Sequence, residues 1–195
     1  MGTWTPWGMS DYQRNLAPGI ISYSTPGHGG IHVEDKLNLK VHPKLRAADG
    51  WYEEDCEWAK VAFTFPKAFK PDHVLMAKET LKNWLPHEYM AATGTTLTIG
   101  ESSTLREEAW KKIHESHLQV VCAVGDWHAN VPKGTVGVTM CRGGRLNSGQ
   151  YANSDFRYFL VPKGDYKLPF AIEDERKYEE VSEDFSPIKV LEKVM

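Results

Sequence analysis

The chain has 195 residues, a net charge of −3 and three cysteines. Without a basic arm or a lysine- and arginine-rich run, it lacks the electrostatic signature of a nucleic-acid-binding protein, and no apolar run is long enough to span a membrane. The widely spaced Cys56, Cys122 and Cys141 favour free thiols in a reducing cytoplasm. We therefore expect one cytoplasmic domain over residues 1–195.

The N-terminal fifty residues contain little regular periodicity. Residues 1–18 combine prolines and tryptophans and are interpreted as an irregular strap, whereas residues 19–24 predict a short strand. Residues 24–30 (Ser-Thr-Pro-Gly-His-Gly-Gly) predict a loop, because glycine tolerates the backbone angles of a tight turn. Residues 34–49 are predicted to be a loop with one helical turn.

The middle of the chain predicts helices. Residues 51–65 begin with acidic side chains and continue with apolar residues at helical spacing, which indicates an amphipathic helix with Cys56 in its first turn. A second helix is expected over residues 72–91, where Pro86 should end or kink it. Thr104 and the carboxylate three residues later have the form of a capping box, which predicts a third helix to about residue 117.

The second half of the chain changes to short β-branched and aromatic runs separated by glycine and proline. This pattern predicts strands over residues 118–124, 136–141, 156–161 and 170–172. Residues 173–195 begin with a strongly acidic stretch and are interpreted as an acidic helix or tail. The whole pattern predicts an α+β fold, in which an antiparallel sheet from the C-terminal half is covered by helices from the first half.

His28 and Cys56 are the first candidate site. If the glycine loop meets the start of the acidic helix, the two side chains share a crevice, and a histidine beside a thiol is the pair that cysteine hydrolases and acyl transferases use. The carboxylates around Cys56 oppose a thiolate, however. The alternative is a buried structural cysteine and a loop histidine that bonds to the backbone.

Metal binding is a second interpretation. His28, His32, Asp55 and Cys56 are side chains of the types that zinc accepts, and His114 with His117 would lie on one helix face. Neither set completes a known metal motif, so no metal site is assigned. The glycine loop also lacks the spacing of a phosphate- or dinucleotide-binding motif, so no cofactor is predicted.

Protein binding is the third interpretation. The acidic stretch offers negative charge for a basic partner, and the glycines of the loop and two arginines at a predicted hairpin tip add further candidate contacts. The candidate binding residues are Glu53, Glu54, Asp55, Glu57, Gly29, Gly30, Arg142 and Arg145.

Three segments together resemble an uncharacterised domain family of phages, plasmids and other mobile elements: residues 24–30, residues 50–58 with Glu-Glu-Asp-Cys, and residues 157–162 with Tyr-Phe-Leu-Val-Pro. The resemblance runs from about residue 4 to residue 180. It implies a bacterial host cytoplasm and an accessory role toward host defences or host metabolism, but no activity and no site residues.

The favoured hypothesis is a non-enzymatic accessory protein that binds a host or defence-system protein and inhibits it. The alternatives are a thiol hydrolase or acyl transferase with Cys56 as nucleophile and His28 as base, and a metal-dependent enzyme. The sequence predicts neither the partner nor the oligomeric state.

Overall fold

The computed structural model describes residues 2–146 and 148–182. Its contacts divide the chain into two compact units, one that ends at Arg106 and one that begins at Glu107. Both helices and antiparallel sheets are present, and the larger sheet comes from the C-terminal half of the chain, so the predicted α+β class is confirmed. The prediction of one domain, with that sheet covered by helices from the first half, stays a prediction.

In the described residues, the first unit contains a four-stranded antiparallel sheet in the order β3-β4-β5-β6, a two-stranded hairpin and four complete α-helices. Its elements are β1 (Trp4–Thr5), β2 (Gly8–Met9), β3 (Tyr12–Ala17), β4 (Ile20–Ser24), β5 (Gly29–Val33), α1 (Asp35–Asn38), β6 (Trp51–Glu53), α2 (Trp58–Thr64), α3 (Pro71–Trp84) and α4 (Pro86–Thr93). Helix α5 (Ser103–Ile113) crosses the boundary between the units. The residues predicted to be an irregular strap therefore include β1, β2 and β3.

The core of the first unit forms where one face of this sheet meets helices α2 and α3. Ile31 and Tyr52 are cross-strand partners on that face, and both belong to the same buried cluster as Val61 and Leu81 from the helices. The hydroxyl of the fully buried Tyr52 donates to the side chain of Asn38, which satisfies its hydrogen-bonding requirement inside the core.

The acidic helix predicted over residues 51–65 is wrong in its first half. Residues 51–53 are strand β6, residues 54–57 form a turn, and α2 starts only at Trp58. Tyr52 and its neighbours pair with β5 because burial of the tyrosine in the core outweighs the helical spacing of the residues that follow. Cys56 consequently lies in the turn before the helix. Pro86 does end the preceding helix, since it occupies the first turn of α4.

Gly29 and Gly30 belong to strand β5 rather than to a tight turn. Neither has a positive φ angle. A Cβ atom on Gly30 would lie 2.1 Å from the ring of Trp7 and 2.5 Å from the carbonyl oxygen of Tyr52. Glycine is required there because another chain segment lies directly against the backbone.

The second unit is a five-stranded antiparallel sheet in the order β10-β7-β8-β9-β11. Its strands are β7 (Leu118–Gly125), β8 (Thr135–Arg142), β9 (Phe156–Pro162), β10 (Ala171–Ile172) and β11 (Glu179–Val181). The four predicted strands are therefore confirmed, and Leu118, Met140, Phe159 and Val161 are fully buried among them.

The acidic segment after β10 differs from its prediction as a helix or tail. It contains a 3-10 helix at Glu175–Lys177 and then β11, whose residues pair with β9. The rest of that predicted segment, residues 183–195, lies outside the described residues. Within the described ranges, every helix is too short or too polar to cross a membrane.

Candidate functional site

The turn that follows β6 concentrates carboxylates beside His28. Glu53 ends β6, and its Oε2 atom accepts a hydrogen bond of 2.7 Å from the backbone N–H of Asp55. This bond holds the carboxylate through one of its two oxygen atoms. Oε1 is buried and has no hydrogen-bond partner among the described residues.

His28 approaches the same turn from the loop before β5. The hydroxyl of Thr25 donates to the carbonyl oxygen of His28 and accepts from its backbone N–H, which holds the loop in shape. His28 Nδ1 lies 3.9 Å from Glu53 Oε1 and 3.9 Å from Glu54 Oε1. We call these three side chains, His28, Glu53 and Glu54, the His28 cluster.

The pairing of β5 with β6 determines the position of both glutamates. Gly30 is the cross-strand partner of Glu53, and the backbone N–H of Glu54 donates to the carbonyl oxygen of Gly29 over 3.1 Å. A Cβ atom on Gly29 would lie 2.5 Å from Glu54 Oε2. The missing side chain of Gly29 therefore gives the Glu54 carboxylate room beside the strand.

A crevice of about 270 Å³ borders the His28 cluster, between the sheet and helices α2 and α3. Trp58 and Phe69 supply apolar walls. Its polar lining comes from Arg14, Ser22, Ser24, Glu54 and His73. The crevice is the kind of mixed apolar and polar concavity in which proteins bind ligands or partner side chains.

Cys56 is poorly suited to act as a nucleophile. Burial raises the pKa of its thiol, and the carboxylates of Asp55, Glu53 and Glu57 raise it further, while Lys60 opposes them. A thiolate at neutral pH requires the opposite surroundings. The proposed pair of His28 with Cys56 stays a prediction that this pKa does not favour.

The remaining predicted site residues have other contacts. Glu57 forms an ion pair of 2.7 Å with Lys60, and Asp55 is exposed. In the second unit, Arg142 contacts Glu175 at 2.7 Å, whereas the guanidinium of Arg145 lies over the ring of Tyr151. The two arginines therefore have different partners and are not arranged as one anion clamp.

The metal ligands considered from the sequence are not the ones that come together. His32 packs against the ring of Trp51, and His114 stacks on Trp110. His28 meets two glutamates instead of His32, Asp55 or Cys56. The sequence reasoning missed this grouping because it placed the glutamates on a helix; the alternation of Trp51, Tyr52 and Glu53 was the signal for a strand.

Comparison with known families adds one finding. Residues 1–115, more than half of the chain, match a family described as a domain of unknown function, DUF7007. The chain belongs to this family. The DUF7007 match includes the whole first unit, with the His28 cluster and the crevice. It does not include residues 157–162, the third segment on which the resemblance to mobile-element proteins rests. No curated protein and no solved structure matches the chain.

Proposed function

We propose that the chain is a non-enzymatic accessory protein of a mobile element that binds a host or defence-system protein in the bacterial cytoplasm and inhibits it. The partner contributes an extended segment that adds to the free edge of strand β3. The observation that carries this proposal is the position of that edge, which borders the crevice of the first unit.

Strand β3 has the features of a docking edge. In the described part of the chain it pairs with β4 alone, so the backbone groups on its other side are available to another strand. Its six residues contain no proline and no lysine, which proteins use to protect such edges. The register shift between Asn15 and Ala17 affects only its end, and Tyr12 is 63% exposed.

The crevice supplies specificity for side chains of the docked segment. Alternate side chains of a strand project to the same face of a sheet. Arg14, the cross-strand partner of Ser22, lines the crevice together with that serine, so the edge of the sheet leads into the concavity. Met76 forms part of its helical wall and is 57% exposed.

Charge favours a segment with apolar and basic residues. Glu54 lines the crevice, and the exposed Asp55 follows it in the same turn. Complementary charge raises the rate of association and selects among partners. Arg142 and Arg145 are not included in this surface, since both already contact other side chains.

The resemblance to mobile-element proteins supports a host or defence-system protein as the partner. The resemblance to proteins of phages and plasmids rests on three segments, and two of them, residues 24–30 and 50–58, lie in the first unit. Such elements carry accessory genes that act on host defences or host metabolism, and a small binder with a docking edge is suited to that role.

The test compares two matched substitutions on α3 in affinity purification from a bacterial host lysate, followed by binding measurements with the recovered, purified protein. Met76→Arg places a cation at the crevice, whereas Leu75→Arg makes the same change at the adjacent exposed residue, which does not line the crevice. We expect Met76→Arg to weaken binding at least about tenfold, or ~1.4 kcal/mol, and Leu75→Arg by less than about twofold.

Hydrogen exchange tests the strand-addition geometry. The backbone amides of Tyr12–Ala17 that point away from β4 should exchange more slowly in the complex, because the docked segment pairs with them. The proposal is wrong if no protein is recovered above background, if the two arginine variants bind equally, or if the β3 amides keep their exchange rates.

A further inference from the structure

We infer that His28, Glu53 and Glu54 bind a divalent transition-metal ion. The inference does not depend on the proposed protein partner. One imidazole nitrogen and two carboxylate oxygens converge here, and the ligand atoms all lie within 4.8 Å of one another. This set of donors suits zinc or manganese, since imidazole is a poor ligand for magnesium and calcium.

The strongest sign of a ligand is the Oε1 atom of Glu53. It is shielded from solvent and accepts no hydrogen bond from any described residue. A carboxylate oxygen in that condition loses the favourable interactions it would have in water. The same atom faces His28 Nδ1 at 3.9 Å, which is too long for a hydrogen bond and leaves space between them. A cation between the two atoms would satisfy both.

The separations match the size of a coordinated ion after a small movement. Two ligands bound at about 2.0–2.2 Å to one zinc ion lie about 3.0–3.5 Å from each other. His28 Nδ1 is 3.9 Å from each glutamate oxygen, so each of these two separations has to shorten by less than about 1 Å, while the three ligand atoms together lie within 4.8 Å of one another. The side chains of His28 and Glu54 are 60% and 49% exposed and are free to rotate by that amount.

The cluster is oriented by contacts that do not involve a metal. The N–H of Asp55 holds the other oxygen of Glu53, and the hydroxyl of Thr25 holds the backbone of His28. Gly29 makes room for the Glu54 carboxylate. Such supporting hydrogen bonds are what fix the direction of ligands in metal sites. Three protein ligands leave at least one coordination position for water or another molecule.

Titration calorimetry of the full chain, stripped with EDTA and then dialysed, tests the site with ZnCl₂, MnCl₂ and MgCl₂ as separate probes. We expect one equivalent of zinc or manganese to bind and magnesium to bind at least about tenfold more weakly. His28→Gln and Glu53→Gln should each weaken zinc binding by about tenfold or more.

Asp55→Asn is the matched control. It removes one negative charge from the same turn without removing a ligand, because the Asp55 side chain is not part of the cluster. Its zinc affinity should stay within about threefold of that of the unsubstituted chain, since an exposed charge nearby contributes little.

Thermal unfolding separates loss of the site from loss of the fold. In EDTA, Glu53→Gln should unfold at or above the temperature of the unsubstituted chain, because it removes the charge of a carboxylate whose Oε1 atom has no hydrogen-bond partner among the described residues. Added zinc should raise the unfolding temperature of the unsubstituted chain and of Asp55→Asn but not of Glu53→Gln. The inference is overturned if no ion binds at 1 mM, about the weakest affinity of a useful site, or if binding persists unchanged in His28→Gln and Glu53→Gln.

Discussion

In the first unit, His28, Glu53 and Glu54 come together without contact to any lysine or arginine that the structure describes, whereas in the second unit Arg157 contacts both Glu175 and Glu180. The pairs of the second unit hold β9 to β11 and to the 3-10 helix before it, so their role in the fold is evident. The two carboxylates of the His28 cluster form no such pair with a lysine or arginine among the described residues.

This difference indicates where function lies. A folded chain normally places opposite charges together, and like charges that remain adjacent cost stability unless a ligand or partner compensates them. The second unit places opposite charges together, whereas the His28 cluster places two carboxylates side by side. Substitutions that disrupt close packing in the first unit should therefore change the stability by a different amount from substitutions that remove ion pairs in the second unit.

The largest effect is expected from Gly30→Ala in the first unit. The new methyl group would overlap the ring of Trp7 and the carbonyl oxygen of Tyr52, and the latter is backbone that cannot move away easily. We expect a loss of about 3 kcal/mol in the free energy of unfolding. Urea denaturation followed by tryptophan fluorescence measures it.

Gly27→Ala provides the control for that substitution. A Cβ atom at Gly27 meets no atom within 4 Å, so the stability should change by less than about 0.5 kcal/mol. Equal stability of the two variants would show that Trp7 does not lie over Gly30, and the account of the glycines in β5 would have to be abandoned.

A smaller effect is expected from Arg157→Met in the second unit. Arg157 lowers the pKa of Glu180, and Arg142 together with Arg157 lowers that of Glu175. A carboxylate whose pKa is lower in the folded state stabilises the fold above its unfolded pKa, and this contribution is lost as the pH falls through the folded value. Because the groups are partly exposed, we expect the substitution to cost about 1 kcal/mol at pH 7.

The pH dependence distinguishes a charge effect from lost packing. Once the pH has fallen below the lowered pKa values of Glu175 and Glu180, so that both carboxylates are protonated, the unsubstituted chain and Arg157→Met should converge in stability. Hydrogen exchange of the β9 amides measures this locally. A difference that persists at acid pH would mean that the arginine acts through the contact of its guanidinium with the ring of Phe159 rather than through its pairs with the two glutamates.

The sequence predicted the second unit better than the first, for a physical reason. Strands β7, β8 and β9 are neighbours in sequence and are separated by clear glycine and proline signals, so local pattern is sufficient. Strand β6 is only three residues long and its pairing with β5 depends on burial of Tyr52, which a local pattern does not contain.

The sequence predicted individual residues of the candidate site but not that these residues lie together. His28 and Glu53 were both singled out, one as a base and the other as a binding residue. Their proximity follows from the β5–β6 register, in which Gly30 faces Glu53. Arg14, Ser22 and His73 were missed because isolated polar residues in a strand or helix carry no sequence signal for a shared crevice.

The smallest expected effect concerns the thiols of Cys56 and Cys122, one in each unit. Burial raises the pKa of both thiols, and the adjacent carboxylates raise only that of Cys56 further. In EDTA at pH 7, both should therefore react with iodoacetamide more slowly than free cysteine, as measured by mass spectrometry of each peptide. Asp55→Asn should accelerate the reaction of Cys56 and leave Cys122 unchanged. Faster reaction of Cys56 than of free cysteine would contradict this account and would favour the thiol enzyme, since a stabilised thiolate is its first requirement.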